Sequence, residues 1–381
     1  MKILITSIVD LKKSQHNRLY EFIKYLSEKH EITVLSINDW WKGRQDNLEY
    51  YIKDFDDVFK RINYRYLTEK KVNPIFQELY FKENIKEILK ENFDIHLNYS
   101  SLITGYMISK NIETVFDMAD DLIAMIKDSP QIPYVLRPLG GYLGKEFLKK
   151  NIEKSKKIML STDLLKETYN IPEEKVEIIP NGVDTNLFKN YEEAKKELGL
   201  NGFIIGYVGV LREWVDLEPV FKALKILTNK YRDIKMVVVG KEGRFKENIE
   251  LAEKYEVGGK VIFTGTIPYS QVPKYISVMD VCLIPFKLNK IAQNALPLKL
   301  FEYMACEKPV ISTEIQGVKR AVGNKVLYAS DVREYTEKIN MLYEDKRLRG
   351  KLGKEGRRFV EENYRGEEIA KRVEDILMRM N

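Results

Sequence analysis

Strand-length apolar runs alternate with helix-period segments almost from end to end of the 381 residues, and this constrains the fold more than any other feature. The runs at 2–8, 31–37, 94–97, 114–118, 157–161 and 176–180, and again at 203–209, 235–240, 260–265, 281–286 and 309–313, are predominantly apolar. Strands buried on both faces read this way, and strands separated by helices form parallel sheets covered by helices on each side. The intervening segments have the helical period. In 15–29 the apolar Leu19, Phe22, Ile23 and Leu26 recur at helical spacing, with Ser14 as a plausible cap. In 366–379 the residues Ile369, Val373, Ile376 and Leu377 lie on one face. Further helices are expected at 76–91, 101–110, 142–154, 162–169, 217–230, 243–256, 270–279, 297–306, 332–344 and 346–362. Residues 38–75 read as irregular, and 287–296 as a loop.

The chain is too long for one core and suits two domains of roughly 150–200 residues. The turn-forming sequence Asn181-Gly182-Val183-Asp184 lies where the alternation restarts. The expected division is 1–185, 186–362, and a terminal helical segment 363–381. Charge divides at the same place. Residues 1–185 hold 28 basic and 29 acidic side chains, a net of −1, which leaves +7 for the rest of a chain of net charge +6. A basic second half fits a polyanionic ligand such as a diphosphate, and fits equally a solvated surface of mixed charge.

Several function classes are disfavoured. No run approaches the ~20 apolar residues of a membrane span, and the N-terminal run lacks a small-residue cleavage site. Cys282 and Cys306 sit in apolar surroundings, which suits a reducing cytoplasm rather than a disulfide framework. With only His16, His30 and His96 besides, no zinc-ligand spacing exists, and no metal is expected. Neither a dinucleotide fingerprint nor a P-loop is present, and no basic stripe interleaved with aromatics suggests nucleic acid.

Two segments concentrate chemistry. In 295–313, Pro297 suits the first turn of a helix that follows a strand, so the helix start faces the sheet's carboxyl edge, where α/β sheets bind ligands. Free N–H groups and the positive dipole end make an anion site there. Lys299 in that first turn can neutralise a phosphate. Glu302, three residues on and roughly on the same face, can accept hydrogen bonds from the vicinal hydroxyls of a ribose. A solvated Lys299–Glu302 pair would have the same spacing. In 114–121, Asp117, Asp120 and Asp121 follow a strand, and clustered carboxylates can raise one pKa into the range of a general base. Asp120 or Asp121 could equally cap a helix at 122–127.

Other patterns have plainer readings. Asp54-Phe55-Asp56 spells a metal-binding D-x-D but lies among Tyr and Lys, and reads as surface. Gly140, Gly141 and Gly144 precede a helix and could cradle an anion, but read first as a plain loop-to-helix turn. Trp40, Trp41, Tyr50 and Tyr51 could line an acceptor groove, touch a membrane surface, or form a local core.

Pro297-Leu298-Lys299 and the residues following it to Thr313, Pro180-Asn181-Gly182-Val183-Asp184 with Phe188, Ile205-Gly206-Tyr207-Val208-Gly209, and Phe263-Thr264-Gly265 together resemble GT-B glycosyltransferases of the family 4 type. The match covers 176–313 by motif and the whole chain by order of elements. The resemblance implies two Rossmann-like, doubly wound parallel-sheet domains facing a cleft. It places the acceptor in the first domain and the nucleotide sugar in the second, and sends the final helix back to the first. It implies transfer of a hexose from a nucleoside-diphosphate sugar to a hydroxyl of a glycan, glycolipid or polyprenyl-linked acceptor, with no cofactor or metal. The setting it implies is cytoplasmic, with peripheral contact at the inner face of the membrane.

Within that pattern Glu302, Lys299, Pro297, Leu298, Gly209 and Arg212 are donor-binding candidates. The Asp-rich segment resembles a loop that places an acceptor-side aspartate, so Asp120, Asp117 and Asp121 are the catalytic candidates. The family pairs two glutamates eight residues apart. The second is Glu302, while the first falls on Asn294, which can hydrogen-bond a sugar hydroxyl but carries no charge. That departure keeps two rivals in view: a nucleotide-sugar epimerase of the same architecture, and a non-catalytic nucleotide-sugar-binding module.

Overall fold

The computed structural model describes residues 1–14, 16–40, 49–128 and 132–380, which form two compact units: Met1–Asn181 with Glu367–Asn381, and Gly182–Gly366.

The first unit runs β1 (Lys2–Ser7), α1 (Arg18–Leu26), β2 (Glu31–Ser36), α2 (Glu49–Arg61), β3 (Asn63–Tyr66), α3 (Pro74–Gln77), α4 (Phe81–Ile88), β4 (Ile95–Tyr99), α5 (Ile103–Ile108), β5 (Thr114–Met118), α6 (Leu122–Asp128), α7 (Arg137–Lys154), β6 (Lys157–Leu160), α8 (Asp163–Tyr169) and β7 (Val176–Ile178). Its seven strands are all parallel, in the order β3-β2-β1-β4-β5-β6-β7. The inner strands β4 and β5 are buried at every position, including the polar His96, Asn98, Thr114 and Asp117.

The second unit runs α9 (Ala194–Glu197), β8 (Phe203–Val208), α10 (Glu218–Lys230), β9 (Ile234–Val239), α11 (Phe245–Lys254), β10 (Val261–Gly265), α12 (Val272–Val278), β11 (Val281–Ile284), α13 (Lys290–Gln293), α14 (Leu298–Ala305), β12 (Val310–Ser312), α15 (Gln316–Val322), β13 (Leu327–Tyr328), α16 (Val332–Glu344) and α17 (Lys346–Asn363). Its six strands are again parallel, in the order β10-β9-β8-β11-β12-β13. The chain leaves this unit beside the point where it entered. Val183 N–H donates to Tyr364 at 2.9 Å, and Gly366 N–H donates back to Val183 at 2.8 Å.

The last helix, α18 (Gly366–Met380), packs with the first unit, where Ile369, Val373, Ile376 and Leu377 are buried. Each such side chain contributes about 1.5–3 kcal/mol. Glu374 ties the helix down by accepting from His30 Nε2 at 2.9 Å and Lys29 Nζ at 3.1 Å.

Several boundaries differ from the sequence expectations. The cap of α1 is Asn17, whose side chain accepts from Leu19 N–H at 3.0 Å, not Ser14. The stretch read as irregular contains α2 and β3. Alternating polar residues hide β3, which is only partly buried at the sheet edge. Asp56 is exposed on α2, consistent with a surface reading, and Phe55 is buried. Trp40 donates its indole N–H to Val72 at 3.0 Å, while Trp41 lies outside the described residues, as do the side chains of Tyr50, Tyr51 and Asp54.

The glycines at 140, 141 and 144 are not a turn but part of α7, where Gly141 and Gly144 face α6. A Cβ on Gly144 would meet Ile126 at 2.8 Å, so glycine here permits close helix approach. Residues 287–296 contain α13. Pro297 stands just outside α14 as its N-cap, with an extended backbone, instead of within the first turn.

Candidate functional site

In the second unit β8 and β11 are neighbours although β9 and β10 intervene in sequence. The strand order reverses there, so the loops after β8 and β11 diverge at their carboxyl ends and leave room for a ligand. The β8 loop begins with Gly209, whose φ of +125° is a glycine conformation. Gly240, φ +130°, ends β9 beside it, and a Cβ there would lie 2.4 Å from the Gly209 carbonyl. Backbone thus packs on backbone at this edge with no side chain between.

The β11 loop leads through α13 to α14. Tyr303 on α14 accepts a hydrogen bond from Val208 N–H at 2.7 Å, and Phe301 stacks on Tyr364 with ring centroids 4.1 Å apart. The first contact ties α14 to the end of β8, and the second ties it to the end of α17. As a result Lys299 stands over Gly209: a Cβ on that glycine would lie 2.6 Å from Lys299 Nζ. Tyr207 donates its hydroxyl to Val210 at 2.8 Å and accepts from Lys299 Nζ at 2.8 Å, with the ammonium 4.3 Å from its ring centroid.

Desolvation depresses the Lys299 ammonium to about 7, with Glu302 opposing the shift and Arg212 adding to it. Lys299 as a whole is only partly buried, so water on its open side moderates that shift. Arg212 is exposed in the β8 loop, near enough to act on both Lys299 and Tyr207. Glu302, one turn further along α14, is buried and accepts from the Tyr269 hydroxyl at 3.2 Å. Tyr269 in turn packs on Phe188, ring centroids 5.5 Å apart.

Leu298 opens α14 and is partly buried, as are Pro297 and Asn294. Asn294 caps the end of α13, in the same loop. The structure therefore gathers Gly209, Arg212, Asn294, Pro297, Leu298, Lys299 and Glu302 on loops and a helix start at one sheet edge. Two cations, free helix N–H groups and glycine backbone suit a diphosphate, and a carboxylate one turn away suits a pair of sugar hydroxyls.

In the first unit the three aspartates have different surroundings. Asp121 is buried and accepts from Ala124 N–H at 2.9 Å, so it caps α6; it also takes the Tyr169 hydroxyl. Asp120 is exposed. Desolvation raises its carboxyl, Arg18 opposes that and Asp121 adds to it.

Asp117, on β5, is 0 % exposed and lies 3.3 Å from Arg18 Nη2. Burial pushes its carboxyl up to about 6, against the pull of Arg18 and with a push from Asp120. Among the described residues neither Asp117 oxygen has a hydrogen-bond partner, and neither has Nε or Nη2 of Arg18. Buried charged groups left this way need an explanation. Arg18 also reaches Asn181 Oδ1 at 3.4 Å and packs on the Phe22 ring at 5.0 Å.

Arg18, Tyr207, Tyr269 and Gly240 were not singled out as site residues from sequence. A signal for Arg18 existed, since it begins the helix after β1, at the sheet's carboxyl edge. Nothing local marks Tyr269. Among the described residues no cluster of His, Cys, Asp or Glu is arranged to hold a metal ion.

Residues 189–359 match the family described as glycosyl transferases group 1. TuaH of Bacillus subtilis (strain 168), named as a teichuronic acid biosynthesis glycosyltransferase, is 29 % identical over 155 residues, 39 % of this chain and 36 % of its own. N-acetyl-alpha-D-glucosaminyl L-malate synthase of Bacillus anthracis is 24 % identical over 306 residues, 75 % of each chain. The chain thus spans about a third of the first relative and three quarters of the second.

Among solved structures, sucrose-phosphate synthase from Thermosynechococcus elongatus superposes with a TM-score of 0.78 at 16 % identity, over 100 % of this chain and 98 % of that one. HepE of Anabaena, solved with UDP and with UDP and glucose, superposes with a TM-score of 0.75 to 0.76 at 15 % identity over the whole of both chains. These likenesses show the fold, the two-sheet GT-B architecture, and over residues 189–359 the chain is similar to the glycosyl transferases group 1 family.

Proposed function

We propose that this glycosyltransferase takes a hexose from a nucleoside-diphosphate sugar held in the second unit and passes it to a hydroxyl of a glycan or lipid-linked acceptor held in the first. The observation behind the donor assignment is the pairing of Lys299 with Glu302 on α14, the lysine aimed over Gly209 by Tyr207 and the carboxylate oriented by Tyr269. In this reading Lys299 and Arg212 take the diphosphate, Glu302 takes the ribose hydroxyls, and Asn294 meets the sugar as a neutral hydrogen-bonding group.

Charge leaving with the diphosphate is stabilised by groups already in place, which lowers a barrier without further reorganisation. No metal is assigned a part. The acceptor hydroxyl needs a base. Asp121 is committed to capping α6, so the task falls to Asp120, which is open to solvent, with Asp117 behind it as a buried charge near the same strand end.

The experiment pairs two measurements. A thermal-shift screen of UDP-, GDP- and ADP-sugars should find one that raises the melting point selectively, because a ligand bound only by the native state stabilises it. Product analysis of that donor, with and without glycan acceptors, then separates the readings. A new glycoside supports transfer, a donor epimer formed without acceptor supports the epimerase, and binding without turnover supports the non-catalytic module.

A further inference from the structure

Three neighbouring strands of the first unit end beside charged or polar groups. β1 and β4 lie side by side although β2 and β3 intervene in sequence, so the strand order reverses there and the loops beyond diverge. Arg18 opens α1, the helix after β1, and Tyr99 closes β4. Asp117 stands opposite Tyr99 in the register of β4 with β5, and Asp120 follows two residues past the end of β5. Arg18 and Asp117 are buried, whereas Asp120 is exposed.

An ion pair at this depth needs hydrogen bonds on both partners, because Coulomb attraction alone rarely offsets the desolvation of two charges. This pair lacks them. Arg18 Nη2 lies 3.3 Å from Asp117 Oδ1 without hydrogen-bond geometry, and Arg18 Nη1 alone reaches a partner, Asn181 Oδ1 at 3.4 Å. Other buried polar side chains of the same sheet are satisfied. His96 bonds the hydroxyls of Thr6 and Thr114 at 2.9 and 3.0 Å, and Asn98 donates to Asn151 Oδ1 at 2.8 Å. The unused capacity is thus confined to the strand ends beneath the aspartate loop.

A cation held this way keeps its field for the charges around it, and burial weakens the screening of that field. Arg18 pulls down the carboxyls of both Asp117 and Asp120, while Asp120 pushes Asp117 up and Asp121 pushes Asp120 up. Burial raises the Tyr99 hydroxyl, Asp117 and Asp120 raise it further and Arg18 opposes them, so Tyr99 adds no charge at neutral pH. Tyr169 of α8, raised by burial and by its bond to Asp121, adds none either. One guanidinium therefore faces three carboxylates.

We propose that Arg18 is a positioning residue for sugar transfer: from beneath the aspartate loop it keeps Asp120 ionised beside Asp117 and Asp121, ready to take the proton of an acceptor hydroxyl. This rests on Asp120 being the acceptor base. In that step the proton passes from the acceptor O–H to an Asp120 carboxylate oxygen, the acceptor oxygen bonds the anomeric carbon, and the diphosphate leaves with the electron pair of the broken C–O bond. Arg18 exchanges no proton and acts only through its charge.

The first readout needs no substrate. Carbon-13 NMR of the full chain labelled at the aspartate carboxyls, with Asp120→Asn identifying the signal, follows the titration of Asp120. Arg18→Gln should raise its midpoint by about one pH unit, Arg18→Lys should restore most of that shift, and Asp117→Asn, which removes a like charge, should not raise it. Should Arg18→Gln not fold, Arg18→Gln/Asp117→Asn no longer strands a carboxylate, and its midpoint should lie above that of Asp117→Asn. The second readout is the acidic limb of kcat/KM with the donor selected by thermal shift, which should move with the NMR midpoint in Arg18→Gln and return in Arg18→Lys. A midpoint that the loss of Arg18 leaves unmoved, or that Asp117→Asn raises, overturns the proposal, as does a kcat/KM lowered equally at every pH. Loss of turnover in Asp120→Asn without any effect of Arg18 on the limb overturns the part given to Arg18 and leaves the base reading standing. Activity within a few-fold of wild type in Asp120→Asn overturns both.

Discussion

Arg18 Nη2 lies 3.3 Å from Asp117 Oδ1, with Arg18 only 2 % exposed and Asp117 fully buried. One residue starts the helix after β1 and the other ends near the close of β5, so the tertiary fold alone pairs them. Removing the cation strands a buried carboxylate. Arg18→Met should therefore destabilise the chain by about 3–5 kcal/mol, measured by urea denaturation, while the double variant Arg18→Met/Asp117→Leu should recover much of the loss. Equal destabilisation by the single and double variants would show that Arg18 acts through packing on Phe22 instead.

Asp117 also sets a pH dependence. Its carboxyl is raised from 3.8 to about 6 in the folded protein. A raised folded pKa means the folded state holds the proton more tightly, so its stabilising effect is complete below the unfolded pKa and is lost as pH rises through the folded one. The wild type should lose stability between about pH 4 and 6 from this group, on the order of 3 kcal/mol, relative to Asp117→Asn. Melting curves of the two proteins across that window should converge toward low pH; parallel curves would refute the assignment.

Lys299, depressed to about 7, should make diphosphate affinity pH-dependent. Binding an anion favours the charged ammonium, so affinity for a nucleoside diphosphate should be highest below pH 7 and fall as pH rises past it, whereas affinity for the nucleoside should not. Lys299→Ala should remove both the dependence and the preference for the diphosphate. Calorimetry on the two ligands at several pH values checks this, and equal losses for both ligands would make Lys299 structural.

Gly209 and Gly199 offer a matched pair. Both have positive φ, but a Cβ on Gly209 would lie 2.6 Å from Lys299 Nζ, whereas at Gly199 it would meet nothing within 4 Å. Alanine at either should cost about 1–3 kcal/mol in backbone strain. Only Gly209→Ala should also displace the lysine and lower diphosphate affinity. Donor binding that survives Gly209→Ala intact would mean that the approach of lysine to glycine serves packing alone.

In the proposed donor site Glu302→Ala would remove a charge-assisted hydrogen bond worth about 1.5–3 kcal/mol, so donor affinity should fall about 10- to 150-fold. A 2′,3′-dideoxy donor should bind the wild type poorly, and bind Glu302→Ala no worse than the natural donor does. Tyr269→Phe, which only loosens the carboxylate, should fall between. Tight binding of the dideoxy donor to the wild type would exclude ribose as the partner of Glu302.

The parallel two-sheet architecture was legible in the sequence because strands buried on both faces are predominantly apolar, and that pattern needs no knowledge of neighbours. Lys299 and Glu302 were legible for a similar reason: three residues apart on a helix starting at a strand's carboxyl end, their relation is set by local geometry. What the chain could not announce locally came from contacts across long intervals. β3 is a polar edge strand, recognisable only by its pairing with β2. The glycines of α7 are a helix face because α6 lies against them. Tyr269 reaches Glu302, and Arg18 reaches Asp117, across gaps of 33 and 99 residues. The division of labour among the three aspartates was likewise a tertiary matter. Their spacing made all three candidates, Asp120 first; burial, one helix end and one arginine made Asp121 a cap, Asp117 a buried charge, and left Asp120 open to solvent. Local geometry depends on residues a few positions apart, whereas desolvation and charge pairing depend on whatever the fold brings alongside.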